Sequence, residues 1–296
     1  MTLRSVTVRV PATSANLGSG FDCLGLALEL TADVTVTLSE DPAPPTTDPM
    51  LRLAVGAAQA VFVHTGRPRP AGLSARYAGE IPIARGLGVS AVLRAGGVLA
   101  ANELLGRPLD PEQLLALGAE LEGHPDNVTP ALLGGLQVSL WDGGRVVHVG
   151  VPVPPELTAV LLVPDLDMPT GESRRLLPQE LDRQDCIFNV GRAALLVAAM
   201  AAGRLDALAT AVEDRLHQPA RAQLFPAMPD IFAAARAAGA HAAYLSGGGS
   251  SICALCSGGE EAVAGAMLEA ARRAGVDGRT IITRPSPRGA AVVAGA

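Results

Sequence analysis

The stretch "ARGLGVSAVLRAGG", Ala84–Gly97, places two glycines around a leucine and then a run of apolar residues at helical spacing. The run predicts a helix from Ser90 to Leu105. Gly86 and Gly88 give the preceding backbone conformations that a Cβ would forbid. A helix start also offers N–H groups without intrahelical partners and the positive end of the helix dipole. Two readings fit: a tight turn into a core helix, or a backbone cradle for phosphate with Ser90 adding a hydroxyl for phosphate or metal. Gly96 and Gly97 lie inside the helix, where each glycine costs about 1 kcal/mol relative to alanine. Close packing against another element must favour them.

Helices and strands interleave on both sides of this stretch. Strands are predicted at Ser5–Val10 (ended by Pro11), Ala32–Leu38 and Gly72–Gly79, and at "GGLQVSLW" and "RVVHVGV" as a hairpin around Asp142-Gly143-Gly144. Helices are predicted at Leu51–Thr65 and Asp110–Glu122, the latter with Asp110 as N-cap and Pro111 at its first position. "PVPPE", Pro152–Glu156, is a boundary, dividing the chain into residues 1–154 and 155–296. Beyond it the sequence predicts a strand at Leu157–Val163 and helices at Asp185–Ala202, Leu205–Leu216, Met228–Ala238 and Glu260–Ala274. "AAYLSGGGSSICALC" reads as strand, glycine loop, strand, and "RTIITR" as a last strand. The order lacks the regular rhythm of a parallel sheet, so the fold class is α+β.

Composition narrows the function. The 296 residues are 49% hydrophobic but only 3% aromatic, so the core is built from small aliphatic groups. A net charge of −6 argues against a general nucleic-acid binder, which needs a basic footprint. All the basic charge is arginine, so a Walker-type lysine and lysine Schiff-base chemistry are both excluded. No apolar run reaches the roughly 18 residues of a membrane span; the longest is "AALLVAAMAA", Ala193–Ala202. The N-terminus lacks a signal-peptide core, and a cytoplasmic protein is expected. Cys23, Cys186, Cys253 and Cys256 are too scattered for a disulfide scaffold, and the last two read as core residues of a strand.

Three further segments carry chemistry-bearing residues. "PATSANLGSGFDCLGLAL", Pro11–Leu28, holds Asn16 and Asp22 and reads either as a capped helix start or as part of a site. "AELEGHPDNVTPALLGG", Ala119–Gly135, crowds Glu120, Glu122, His124, Asp126 and Asn127 together in what reads as a polar loop. A carboxylate near a phosphate loop is what Mg²⁺ needs. "YLSGGGSSICAL", Tyr244–Leu255, is a loose hairpin or a second backbone surface near a ligand, with Ser250 and Ser251 as donors. Arg174, Arg215 and Arg221 supply guanidinium forks for a carboxylate.

Together these segments resemble the GHMP small-molecule kinases, and within them the members that phosphorylate homoserine. "PATSANLG" and "GFDCLGLAL" are similar to the family's opening motif, "IPIARGLGVSA" (Ile81–Ala91) to its phosphate loop, and "LSGGGSS" (Leu245–Ser251) to its third motif; "EGHPDNVTPALLGG", "FNVGRAALLVAAM" and "DRLHQPAR" match segments of the homoserine branch. The resemblance implies a two-domain fold, an N-terminal β-α-β nucleotide-binding domain followed by a C-terminal ferredoxin-like α/β sandwich. It implies transfer of the ATP γ-phosphoryl group to the side-chain hydroxyl of L-homoserine, a step of threonine biosynthesis, with Mg²⁺ and in a homodimer. Pro82, Arg85, Gly86, Leu87, Gly88, Val89, Ser90, Ala91 and Ser251 then match ATP-binding positions, and Ser90 with Glu120 the metal ligands. Asn16, Asp22, His124, Thr170, Arg174 and Arg221 match substrate positions, with Asp22 for the amino group and Thr170 and the two arginines for the carboxylate. Asn127 would hold the reacting hydroxyl, with Asp126 as the alternative base.

The chain departs from the family pattern at Val89, Gly248, Ser250-Ser251, Ala220 and Pro49-Met50-Leu51, and Arg94 is an unusually polar residue on a helix of small ones. Another GHMP kinase, or a catalytically weak binding member, are the alternatives; "SANLGSGFDCLG" argues against the mevalonate-pathway members.

Overall fold

The computed structural model describes residues 4–42 and 46–295. Among them the strands form a six-stranded and a four-stranded sheet. β1 (Ser5–Ala15) and β2 (Leu24–Ser39) are the long antiparallel pair of the first, with Val6, Val8 and Val10 opposite Val36, Val34 and Ala32, all buried. Pro11 does not end β1 as expected. The register shifts between Pro11 and Ala12, so the ring's missing N–H falls at an irregularity of the ladder. The strand therefore carries the opening motif into the centre of the molecule.

α1 (Pro49–His64) is capped by Asp48, whose carboxylate accepts from the Met50 N–H. β3 (Gly72–Gly79) pairs with β2. α2 (Val89–Leu104) is the helix predicted from the glycine loop, and it lies against both α1 and β2. A Cβ on Gly96 would come within 2.5 Å of Val34, and one on Gly97 within 2.5 Å of the Ala54 carbonyl, so both glycines are where backbones nearly touch. The buried side chains of Val92, Leu93, Val98 and Leu104 each stabilise by roughly 1.5–3 kcal/mol. That outweighs the roughly 2 kcal/mol of helix propensity lost at the two glycines. α3 (Pro111–Glu122) begins with a full capping box between Asp110 and Gln113. α4 (Pro125–Leu133) occupies residues read from sequence as a polar loop. β4 (Leu136–Asp142) and β5 (Arg145–Val151) form the expected hairpin across Gly143-Gly144.

β6 (Thr158–Pro164), buried throughout, opens the second sheet. α5 (Thr170–Arg175) and α6 (Arg183–Ala202) follow. The single helix predicted over Leu205–Leu216 is broken into a 3₁₀ turn at Leu205–Ala207, α7 (Leu208–Ala211) and, farther on, α8 (Gln218–Arg221). Asp214 is the reason: its carboxylate accepts from the N–H groups of Leu216, His217 and Gln218 at 2.6–2.9 Å, which stops one helix and starts the next. α9 (Met228–Ala237), β7 (Ala242–Leu245), β8 (Ile252–Cys256), α10 (Glu260–Arg273), β9 (Gly278–Thr283) and β10 (Ala291–Gly295) complete the chain. The order β7-β8-β6-β9, antiparallel throughout and backed by α9 and α10, is the ferredoxin-like arrangement. Cys253 and Cys256 are fully buried in β8, as expected.

The sequence division at 154/155 falls between β5 and β6. One strand crosses it: β10 lies in the later half of the chain yet pairs antiparallel with β1. Among the described residues one helix, α6, is long and apolar enough to cross a membrane, with a mean hydropathy of 1.5 over its best window. It presents Ile187, Val190 and Leu195 to the outside and buries Leu196, Ala199 and Met200.

Candidate active site

A cleft of about 400 Å³ opens where the two sheets' loops meet. One wall is the glycine stretch. Gly88 is the N-cap of α2 at φ +70, and a Cβ there would lie 1.9 Å from Thr13 Oγ1. Gly86, at φ +71, would drive a Cβ to 2.1 Å from the Ser246 carbonyl. Both positions thus require glycine for conformation and for room. The first bond of the α2 ladder runs from the Val92 N–H to the Gly88 carbonyl. The N–H groups of Val89, Ser90 and Ala91 are therefore left over at the positive end of a sixteen-residue helix.

The glycine loops are tied together by backbone bonds. The Thr13 N–H donates to the Leu87 carbonyl, the Ser251 N–H to the Arg85 carbonyl, and the Gly247 N–H to the Ala15 carbonyl. Ser246 Oγ donates to the Gly86 carbonyl at 2.7 Å. Pro82, Arg85, Gly86, Leu87, Gly88, Val89 and Ser90 line the cleft. Ala91 and Ser251 do not. Ala91 packs its methyl among Leu115, Ala119 and Val128, leaving only its N–H for the cradle. Ser251 is fully buried behind its loop, and Ser250 Oγ donates to the Leu166 carbonyl, so Gly247 and Gly248 form that wall instead. Val89 is 5% exposed and joins the hydrophobic core, so on this side the cradle is backbone rather than hydroxyl.

At the other end the polar residues of the opening motif meet those of α4, α5 and α8. Asn16 donates through Nδ2 to the Gly247 carbonyl and accepts the Asp22 N–H through Oδ1, both at 3.0 Å. Arg174 grips Asp22 with two bonds, at 2.7 and 3.0 Å. Arg221 is buried; its NH1 donates to the Gly247 carbonyl and to His217 Nδ1, while its Nε has no partner among the described residues. Burial, helped by the charge of Arg174, pulls the Arg221 pKa down to about 10, so the guanidinium stays charged at neutral pH. His124 is bonded to Asp126. Burial works against its imidazolium, but that bond and the charges of Asp126, Glu122 and Asp22 carry its pKa above the ordinary 6.5. Asn127 accepts from Thr13 Oγ1 at 2.7 Å, which fixes its amide so that Nδ2 reaches Asp126 and keeps one further N–H. The side chain of Thr170 lies outside the described residues.

The carboxylate beside Ser90 is Glu122, not Glu120. Ser90 Oγ donates to one Glu122 oxygen and Arg94 pairs with the other. Glu120 is exposed on the far side of α3. The helix period explains the correction: Leu115, Gly118 and Ala119 face inward, and Glu122 continues that row, whereas Gln113, Ala116 and Glu120 share the opposite one. The same period in the sequence could have found Glu122. Its side chain is only 6% exposed and, from the C-terminal end of α3, meets Ser90 at the N-terminus of α2. A hydroxyl and a carboxylate are the hard oxygen donors Mg²⁺ takes when phosphates complete its shell. Asp22, His124 and Asp126 also bring ligand atoms within 4.8 Å of one another. There Asp22 is engaged by Arg174 and Asp126 by His124 and Asn127, so Ser90 and Glu122 fit Mg²⁺ better. Sequence reasoning also missed Met50 and Leu53, which give the cleft an apolar shelf beside Pro82 and Ala84.

Comparison with known proteins agrees with this geometry. Residues 52–135 match the GHMP kinase N-terminal domain model and residues 196–277 the GHMP kinase C-terminal model. The chain is 43% identical to a homoserine kinase of Moorella thermoacetica over 97% of its own length and 99% of the relative's. The chain belongs to the homoserine kinase family of GHMP kinases. A homoserine kinase of Carboxydothermus hydrogenoformans is 40% identical, with 96% of each chain covered. The crystal structure of homoserine kinase from Cytophaga hutchinsonii superposes with a TM-score of 0.88 at 26% identity, covering 99% of this chain and 98% of that one. The cleft is highly charged: four arginines (Arg85, Arg94, Arg174, Arg221) face three carboxylates (Asp22, Glu122, Asp126) in a chain whose net charge is −6.

Proposed function

We propose that this protein is an ATP-dependent kinase for L-homoserine. The γ-phosphorus–oxygen bond of ATP breaks, a bond from that phosphorus to the substrate's side-chain oxygen forms, and the products are ADP, O-phospho-L-homoserine and the hydroxyl proton. The observation that carries the reading is the pairing of Asp22 with Arg174, next to the buried Arg221, across a short polar bridge from the α2 cradle. An amino acid is a zwitterion: its ammonium needs the anion and its carboxylate the guanidinium forks. Asp22 and Arg174 satisfy one another in this structure, and the substrate's ammonium and carboxylate each engage one of them in turn.

Phosphoryl transfer is mainly positioning and charge stabilisation. The remaining Asn127 N–H donates to the substrate hydroxyl oxygen and sets its line of attack. The proton leaves late, to the transferred phosphate, or to Asp126 as the alternative base. The N–H groups of Val89, Ser90 and Ala91 hold phosphate oxygens, with Arg85 beside them. Met50 and Leu53 carry the adenine. Ser90 and Glu122 would hold Mg²⁺, which would neutralise charge on the phosphates. The division at 154/155 separates a nucleotide-binding half from a ferredoxin-like half, with β10 returned to the first.

ADP release with Mg-ATP and homoserine, serine, threonine or mevalonate, measured side by side, tests the reading. Homoserine-selective turnover is expected. Turnover on another acceptor, or nucleotide binding with no turnover on any, refutes it. Free Cys23, Cys186, Cys253 and Cys256 suit the reducing cytoplasm, where we place the enzyme. We also propose a homodimer, supported by the apolar outer face of α6; Val190→Asp should then lower the mass measured by light scattering to that of one chain.

A further inference from the structure

Glu122 carries two partners at once, and the second is an arginine. Arg94 lies one turn along α2 from Ser90, lines the same cleft and pairs with the carboxylate oxygen that Ser90 does not use. Its side chain is 20% exposed and that of Glu122 6%, so the pair is shielded from water. A nearly buried carboxylate cannot be left without a counter-charge. Arg94 supplies one from within the chain. A single carboxylate, however, does not hold a guanidinium and a divalent ion on the same side without strong repulsion between them.

We propose that Arg94 is a built-in placeholder cation that keeps free divalent metal off Glu122 and gives the carboxylate up only when nucleotide arrives. The triphosphate adds several negative charges beside α2, and these offer Arg94 a new partner while they complete the metal's oxygen shell. Metal capture is thereby made conditional on nucleotide, and the enzyme takes Mg²⁺ as the ATP complex rather than in advance. The inference rests on the assignment of Ser90 and Glu122 as the metal's protein ligands. It goes beyond it in giving Arg94 a role that a structural ion pair would not have. If the pair holds Glu122 about nine-tenths of the time, the apparent metal affinity of the empty protein falls about tenfold.

Mn²⁺ is the probe, followed by electron paramagnetic resonance on the full chain, first without nucleotide. Arg94→Met should tighten Mn²⁺ binding about tenfold relative to wild type, Arg94→Gln should follow it, and Arg94→Met/Glu122→Gln should cancel the gain. Melting curves give a second readout: Mn²⁺ alone should raise the Tm of Arg94→Met and leave that of wild type nearly unmoved. With a non-hydrolysable ATP analogue, wild type and Arg94→Met should bind Mn²⁺ alike, and Glu122→Gln should weaken it. If neither Arg94 variant binds Mn²⁺ more tightly than wild type while Glu122→Gln still weakens binding with the analogue, the placeholder role is overturned and the metal assignment stands. If Glu122→Gln leaves binding with the analogue unchanged, the metal assignment fails and the inference with it.

Discussion

His217 gives the fold a calculable sensitivity to acid. The imidazole is fully buried between Gly18 and Arg221: its Nε2 meets the Gly18 carbonyl at 2.7 Å and its Nδ1 meets Arg221 NH1 at 2.9 Å. Because Arg221 can only donate, Nδ1 must accept, and Nε2 must carry the hydrogen. The neutral tautomer is thus built in. Burial outweighs the help of Asp214 and, with the charge of Arg221 acting in the same direction as burial, lowers the pKa from the ordinary 6.5 to about 4. The unfolded chain takes up this proton as pH falls through 6.5 and the folded one does not until about 4, so stability is full above 6.5 and is lost across that window. At about 1.4 kcal/mol per pH unit the loss is ~3 kcal/mol. His217→Gln offers one acceptor and one donor without the titration. Urea unfolding of both proteins at about pH 7 and about pH 4 measures the slopes. Carboxylates held low by hydrogen bonds, such as Asp33 by Arg9 and Glu103 by Arg107, weaken both proteins equally and cancel in the difference. Wild type should lose ~3 kcal/mol more than the variant on acidification; equal losses would refute the buried neutral imidazole.

Glu122→Gln should lower kcat/KM for Mg-ATP by about 100-fold or more, while Glu120→Gln should stay within about twofold, because only the former lines the cleft. Asn127→Ala should lower turnover about 100-fold with a smaller change in KM, and an unchanged kcat would remove Asn127 from the transition state. Asp126→Ala should act more on the KM for homoserine, through the His124 that it holds, and a fall in kcat as large as that of Asn127→Ala would favour Asp126 as the base. Gly88→Ala combines a left-handed backbone, ~1–2 kcal/mol, with disruption of the buried Thr13–Asn127 bond, ~1–3 kcal/mol. Urea denaturation should show a loss of ~2–5 kcal/mol together with weakened nucleotide binding, and stability within 1 kcal/mol of wild type, roughly, would contradict the close approach.

The sequence announced the large periodic elements and hid the short polar ones, for identifiable reasons. α2 was legible because its apolar residues recur at helical spacing behind two glycines. Asp110 as N-cap and Pro111 at the first position made α3 legible, and the structure adds Gln113 to complete a capping box. α4 was not, because Pro125 and Pro130 with Asp126 and Asn127 read as a loop; yet Pro125 stands at the first turn, where its missing N–H is harmless, and Thr129 folds its hydroxyl back onto the Pro125 carbonyl. The break between α7 and α8 depends on one carboxylate meeting three N–H groups, which no pattern of hydrophobicity records. In the cleft, the motifs named Asn16, Asp22, His124, Asn127, Arg174 and Arg221 together, and all of them face it. They named Glu120 wrongly because the motif was read by nearness in sequence rather than by the face of α3. Ser251 was misread for a related reason: in a glycine loop the backbone turns one side chain into the core while its neighbours' carbonyls form the wall.

The hydrogen bonds that join the glycine loops bear on the entropy of binding. The Gly247 carbonyl is held by Asn16 and the Gly86 carbonyl by Ser246, each across more than a hundred residues of chain, and Arg221 adds a second bond to Gly247. Ordering these loops is completed when the chain folds, so little conformational freedom remains to be lost when a nucleotide arrives. Such a cradle behaves as a rigid receptor, whose affinity is set by what it touches and not by how far it must close.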